Sequence, residues 1–229
     1  MARTLDRRAS LVGAGAAALG ALVGRAQGAH AADEPHDALA LAARIQLFHD
    51  ALHSYQAEFT HVAQLIVDRA PRVRRGRVAF EKPGKLSFRY AAPSRDRVVS
   101  DGKTVRAYLA EDKLLYVSKL ALSPYPATLA FLAGQGVLTR DFELRTLPSQ
   151  EALGRGDAVL EAVPREATPA FVRVLFLADL GSGGVRRVLV LDAQGNRNRF
   201  DFAAPTLDAT IPAREFSLVP PPGTETVDL

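Results

Sequence analysis

His49 and His53 stand four residues apart, and this is the nearest approach to a metal-binding pattern in the chain. On a helix, an i, i+4 pair projects both imidazoles from one face, a spacing that suits zinc. A third ligand is missing nearby, because Asp50 points elsewhere on such a helix, so the pair reads as a solvated helix face. His61 is isolated. Ser182 lies in Gly181-Ser182-Gly183-Gly184, a turn, and no G-x-S-x-G nucleophile elbow occurs. No phosphate-binding loop or dinucleotide fingerprint follows a strand. The acidic residues are scattered, with no pair that can be argued onto one site. Cys is absent, which excludes a thiolate metal site, a cysteine nucleophile, a disulfide and a lipid-bearing cysteine. The residues therefore support no enzyme, and no cofactor or metal is expected.

Lys82 is the charged residue whose position stands out. In 76–82, Val78, Phe80 and Lys82 share one face of a strand, while Arg77, Ala79 and Glu81 share the other. After Pro83-Gly84, Leu86, Phe88 and Tyr90 point one way and Lys85, Ser87 and Arg89 the other. The first set is large and apolar, as in a packed core. An inward ammonium is costly unless it is hydrogen-bonded or paired. At a strand end beside Pro83 it can instead snorkel to water. The pattern alone leaves both readings open.

These residues need a sheet to hold them. Residues 37–53 form one amphipathic pattern, with Leu41, Ile45, Phe48 and Leu52 on a stripe. From Ser54 the period changes to two. Eleven strands are expected, at about 56–68, 73–82, 85–91, 95–101, 103–110, 113–119, 141–147, 157–164, 171–179, 185–193 and 197–204. Short links with turn chemistry, such as Asp101-Gly102 and Gly195-Asn196, make consecutive strands antiparallel. Phe171, Leu175 and Leu177 alternate with Val172, Val174 and Phe176, so that strand should be covered on both sides or central. One helical interruption, 124–133, opens near Pro124 and carries Leu129 and Leu132 on one side. So many strands curl, and helices with one apolar face must cover something. The expected fold is mainly β with an α lid: an incomplete, half-open antiparallel barrel of about eleven strands covered by two or three helices.

The N-terminus reads as an address. Arg3, Arg7 and Arg8 precede an Ala/Gly/Leu/Val run from Leu11 to Gly24, and Ala29-His30-Ala31 supplies a small-x-small cleavage pattern. Residues 1–31 are expected to be an export signal, and 32–229 a single domain. Arg7-Arg8 within Asp6–Val12 has features of a twin-arginine signal. The whole chain of 229 residues carries 29 basic and 25 acidic side chains. Four arginines (Arg3, Arg7, Arg8, Arg25) and Asp6 lie in the signal, leaving 25 basic and 24 acidic residues, a net charge of +1. That balance argues against a nucleic-acid partner. The one basic cluster, Arg69 to Arg77, reads as a solvated strand edge or turn, or a docking patch for an acidic partner.

The stretch 76–108 (GRVAFEKPGKLSFRYAAPSRDRVVSDGKTVRAY) resembles the periplasmic outer-membrane lipoprotein carrier family, LolA. In that family a strand ends in Arg-Pro, then come an aromatic-x-aromatic strand, a Pro, a Ser-Asp-Gly-Lys turn and a Tyr. The matching residues are Pro83, Phe88, Tyr90, Pro93, Ser100, Asp101, Gly102, Lys103 and Tyr108. Residues 54–61 resemble the first strand, with His61 at the family's frequent Gln. Residues 124–132 resemble the lid helix, Asp192 to Gly195 a late turn, and 216–223 the C-terminal motif. Two positions depart: the family's Arg is Lys82, and its Trp after Ser-Asp-Gly-Lys is Arg106.

The resemblance implies a hydrophobic cavity beneath a helical lid. Val78, Phe80, Leu86, Phe88, Tyr90, Leu129 and Leu132 are expected to line it, with Lys82 as the lid latch. It implies a monomeric periplasmic carrier without cofactor or catalysis. Such a carrier shelters lipoprotein acyl chains between an inner-membrane lipoprotein-releasing ABC transporter and an outer-membrane lipoprotein receptor. The alternatives are a LolA-like carrier of another lipid or glycolipid, and a lipoprotein-sensing regulatory module.

Overall fold

The computed structural model describes residues 37–120, 136–147, 157–168 and 170–229. Two α-helices are present there, α1 (Ala38–Ala51) and the short α2 (Leu138–Asp141). Strands β1 (Ser54–Gln64), β2 (Arg72–Glu81), β3 (Lys85–Tyr90), β4 (Arg97–Asp101), β5 (Thr104–Leu109) and β6 (Leu114–Lys119) run in succession. After α2 come β7 (Phe142–Leu147), β8 (Asp157–Pro164), β9 (Arg173–Asp179), β10 (Val185–Leu191), β11 (Arg197–Leu207) and β12 (Glu225–Asp228). All twelve join one open sheet in the order β12-β6-β5-β4-β3-β2-β1-β11-β10-β9-β8-β7. Every neighbouring pair is antiparallel except β12 with β6, which is parallel. This is the mainly β, unclosed architecture expected, with a twelfth strand added at the C-terminus.

The inner face of the sheet is the face under α1. Leu41, Ala42 and Ile45 of α1 share one buried cluster with Phe59, Val78, Phe80, Phe88, Leu160, Val174 and Phe176. Asp37 caps the helix, its carboxylate accepting from the Leu39 amide at 2.9 Å. The helix packs on α2, β7 and β8. Its buried stripe is Leu41, Ile45 and His49, at steps of four, rather than one running on through Phe48 and Leu52. On β9, Val174, Phe176 and Ala178 are fully buried toward this face, while Leu175 and Leu177 opposite are half-buried. That strand is thus fully covered on one side only.

The outer face is not uniformly polar. A 3-10 turn at Ala213–Phe216 lies against β3 and β4. Ala79, Ile211 and Phe216 form a second small core there. Glu215 accepts from Ser87 Oγ at 2.8 Å and Arg89 at 3.0 Å, and its main-chain oxygen accepts from Arg97 at 2.7 Å. Burial alone would raise the Glu215 carboxyl, but the bonds from Arg89 and Ser87 and the nearby arginine charges together hold it below the usual range. The basic cluster Arg69 to Arg77, expected at a strand edge or turn, runs from the β1–β2 turn into β2, which lies between β1 and β3 and not at an edge. The expected helix at 124–133, with Leu129 and Leu132, lies outside the described residues.

Candidate functional site

Alternation along β1, β2 and β3 builds the inner surface row by row. Tyr55, Phe80 and Leu86 align across the three strands, and so do Ala57, Val78 and Phe88. Val78, Phe80, Leu86 and Phe88 are all buried, at 1–5 % exposure, and Tyr90 is half-buried at the end of the patch. The rings interlock: Phe59 meets Phe88 at 5.3 Å and Tyr90 at 5.0 Å, and Phe88 meets Phe80 at 5.9 Å and Phe200 at 5.8 Å. Edge-to-face contacts of this kind add to simple burial. Tyr55, Phe59, Phe200 and Phe202 belong to this surface in addition to the expected lining. Their period-two spacing within 55–63 and 198–202 is the signal that would have found them.

Gly76 makes the ring packing possible. It sits opposite both Phe59 and Tyr90 in the strand register. A Cβ there would lie 2.2 Å from the Arg89 carbonyl oxygen and 2.8 Å from the Phe59 ring. Without a side chain, Gly76 lets Phe59 lie across β2 to reach Tyr90, a common use of glycine within a strand.

The Lys82 ammonium turns to the end of α1. It donates to the main-chain oxygen of His49 and, at 2.9 Å, to that of Asp50. Those carbonyls are among the last four of the helix, which have no partner within it. A cation there is also favoured by the helix dipole. The helix stops at Ala51, with Leu52 extended, so His53 leaves the helix and the i, i+4 pair with His49 is not formed. His53 is exposed, whereas His49, expected on a solvated face, is buried. Burial first, and the Lys82 charge second, hold the His49 imidazole down at about 3. Among the described residues no group of three His, Cys, Asp or Glu could hold a metal. Beside the latch, Leu52, His53, Tyr55 and Phe80 line a half-open hollow of about 10 Å³, room for about one water.

The opposite end of the same face carries a buried polar cluster. His61, far from isolated, has Nε2 3.1 Å from the Asn198 side-chain oxygen. That oxygen only accepts, so Nε2 bears the proton and Nδ1 accepts. The Tyr90 hydroxyl and an Arg74 nitrogen stand 3.0 and 3.2 Å from Nδ1. Arg74 also pairs with Asp96 at 3.0 Å. The ring stacks on Phe200 at 4.2 Å. Burial outweighs the Asn198 bond and, with the Arg74 charge, lowers His61 to about 4. Both inner-face histidines are therefore neutral at pH 7.

Residues 50–219 match the family described as "Outer membrane lipoprotein carrier protein LolA". The chain belongs to the LolA family. An outer-membrane lipoprotein carrier protein of Bordetella avium is 31 % identical over 201 residues, spanning 85 % of this chain and 91 % of the relative. One from Bordetella pertussis is 33 % identical over 159 residues, with 67 % and 70 % covered. Among solved structures, an uncharacterized conserved protein from Thermus thermophilus superposes with a TM-score of 0.51 at 13 % identity, covering 82 % of this chain and 97 % of that one. That likeness concerns the fold alone. In this LolA-family chain, no helix among the described residues is long and apolar enough to cross a membrane.

Proposed function

We propose that this LolA-family chain is a periplasmic carrier that shelters lipoprotein acyl chains under α1 and moves them between membranes. On this reading residues 1–31 are an export signal and 32–229 the carrier domain. Cargo comes from an inner-membrane lipoprotein-releasing ABC transporter and passes to an outer-membrane receptor, with no chemical step. Val78, Phe80, Leu86, Phe88 and Tyr90 form the acyl-binding floor, together with Leu129 and Leu132 from the expected lid segment.

The observation that carries the reading is the breakable latch over an apolar floor. Lys82 holds the end of α1 through hydrogen bonds to main-chain oxygens. Such bonds from a charged donor are worth about 1.5–3 kcal/mol. Burying an acyl chain gains about 0.8 kcal/mol per CH₂, roughly 10 kcal/mol for one long chain. Cargo can therefore displace α1, and the lost latch trims the net affinity enough to permit release. An acyl chain that slides beneath α1 also replaces the apolar contacts that Leu41 and Ile45 give up.

The test is mass spectrometry of protein recovered from the periplasm, with and without competition by a synthetic acylated lipopeptide. Triacylated lipoprotein should co-purify and be displaced by the lipopeptide but not by its unacylated form. Equal capture of acylated and unacylated peptide would overturn the proposal. Recovery of free lipid alone would replace it with carriage of another lipid.

A further inference from the structure

The turn between β1 and β2 presents greasy side chains to water. Ile66 is 71 % exposed, Val67 83 % and Val73 56 %. The turn is well held: the Asp68 amide donates to the Leu65 carbonyl at 3.1 Å, and Gln64 Nε2 donates to the main-chain oxygens of Leu65 and Asp68. The Ile66 amide is fixed by Asn196 Oδ1 at 2.9 Å. Exposure of Ile66 and Val67 is therefore built into a hydrogen-bonded turn.

Charge around the tip is mainly positive, with Asp192 of the neighbouring turn held by Asn196. Residues 65–77 hold five arginines (Arg69, Arg72, Arg74, Arg75, Arg77) and one carboxylate, Asp68. Asp68 is engaged by Arg72 at 3.1 Å, and Arg74 is committed to Asp96. Arg69 and Arg75 have no ion pair among the described residues, and both are exposed. Arg197, also exposed, lies on β11 opposite Gln64, beside the turn.

We propose that this tip docks on an anionic lipid surface, with Ile66 and Val67 entering the headgroup boundary and Arg69, Arg72, Arg75 and Arg197 facing the lipid phosphates. Aliphatic side chains at the apex with arginines behind them suit an interface that is apolar inside and negative at its surface. A stable protein partner would need about 800 Å² per side around a shaped, fully buried centre. Two aliphatic side chains on a narrow turn and a third at the start of β2 do not supply that, whereas a bilayer asks for no shape complementarity. Docking goes beyond cargo carriage: it requires neither the latch nor the acyl floor, and would bring a carrier up to the membrane where it loads or unloads.

The test is vesicle flotation of cargo-free protein with phosphatidylcholine vesicles, with and without phosphatidylglycerol. Parent and variants differ only at the tip, so any contribution from the rest of the chain is common to all. The parent should float at least about tenfold more with the anionic vesicles. The Ile66→Asp/Val67→Asp double variant should lose about tenfold. Each of Arg69→Gln and Arg75→Gln should lose about fivefold, the worth of one arginine near an anionic surface. All these positions are exposed, so unchanged circular dichroism and melting will show that the fold is kept. Equal flotation with both vesicle types, or unchanged flotation of the tip variants, would overturn the proposal. So would tip variants that float normally but lose capture by a protein partner. Binding of an acylated lipopeptide, measured separately in solution, tests the carrier reading, so the two can fail independently.

Discussion

Lys82 spends its charge on backbone. Its phase beside Val78 and Phe80 is visible in the sequence, but its partners are not, since main-chain oxygens at a helix end carry no residue signature. His49 shows the converse: an imidazole on a helix reads as solvated, yet it continues the buried stripe of Leu41 and Ile45 four residues on. The neutral form makes that possible, because the charged form is far more costly to bury. If Lys82 caps α1, then Lys82→Met should lower stability by about 1–2 kcal/mol, the worth of a cation at a helix C-terminus. It should also speed hydrogen exchange of the α1 amides and tighten binding of an acyl probe by about tenfold, since the empty state loses its latch. Lys82→Arg should retain both properties, its fork offering more donors to the same carbonyls. Unchanged exchange in the Met variant would show that α1 is held by its apolar face alone.

At the scale of elements, period-two alternation locates eleven strands because most bury one face, but β12 escapes it. Glu225–Asp228 is short, largely exposed and pairs in parallel with a strand over a hundred residues earlier, so neither pattern nor turn announces it. The Ala213–Phe216 clasp escapes for the same reason, being a tertiary contact made on a strand face that reads as polar. Gly76 shows an element's constraint at one residue. Elsewhere in a strand, Gly→Ala would stabilise by about 0.5–1 kcal/mol by removing backbone freedom. Here the new Cβ meets the Arg89 carbonyl and the Phe59 ring. Gly76→Ala should therefore destabilise by about 2 kcal/mol or more in urea unfolding, as overpacking does. Adding Phe59→Ala removes the ring clash but not the carbonyl clash, so the double mutant should not recover wild-type stability. A neutral or stabilising Gly76→Ala would mean that β2 and β3 separate easily and that the ring stack does not depend on their spacing.

Across the whole molecule, the two halves of the sheet meet at its middle, where β1 lies between β2 and β11. Short turns foretell the hairpins on either side of this seam, but β1 with β11 is a long-range closure that local signals do not encode. Two buried histidines of the inner face, His49 on α1 and His61 on β1, give the protein a pH signature. Burial, with Lys82 beside His49 and Arg74 beside His61, depresses both from 6.5, to about 3 and about 4. A depressed histidine leaves the fold at full stability above 6.5 and weakens it as pH falls, because the unfolded chain takes up protons that the folded one refuses. Each should cost about 1.4 kcal/mol per pH unit once the unfolded imidazole is charged, so together about 2.7 kcal/mol per unit near pH 5. Carboxylates held low, such as Asp208 by the His53 and Ser54 amides, add their losses only at lower pH, as it falls through the ordinary carboxylate range. The window between about pH 6.5 and 4.5 therefore belongs to the histidines. Urea unfolding across it should show stability falling with that slope, and His61→Gln should remove about half. Gln can still meet Asn198 and Tyr90 but takes up no proton. A flat profile in the parent would mean that water reaches both rings and that the inner face is open when empty.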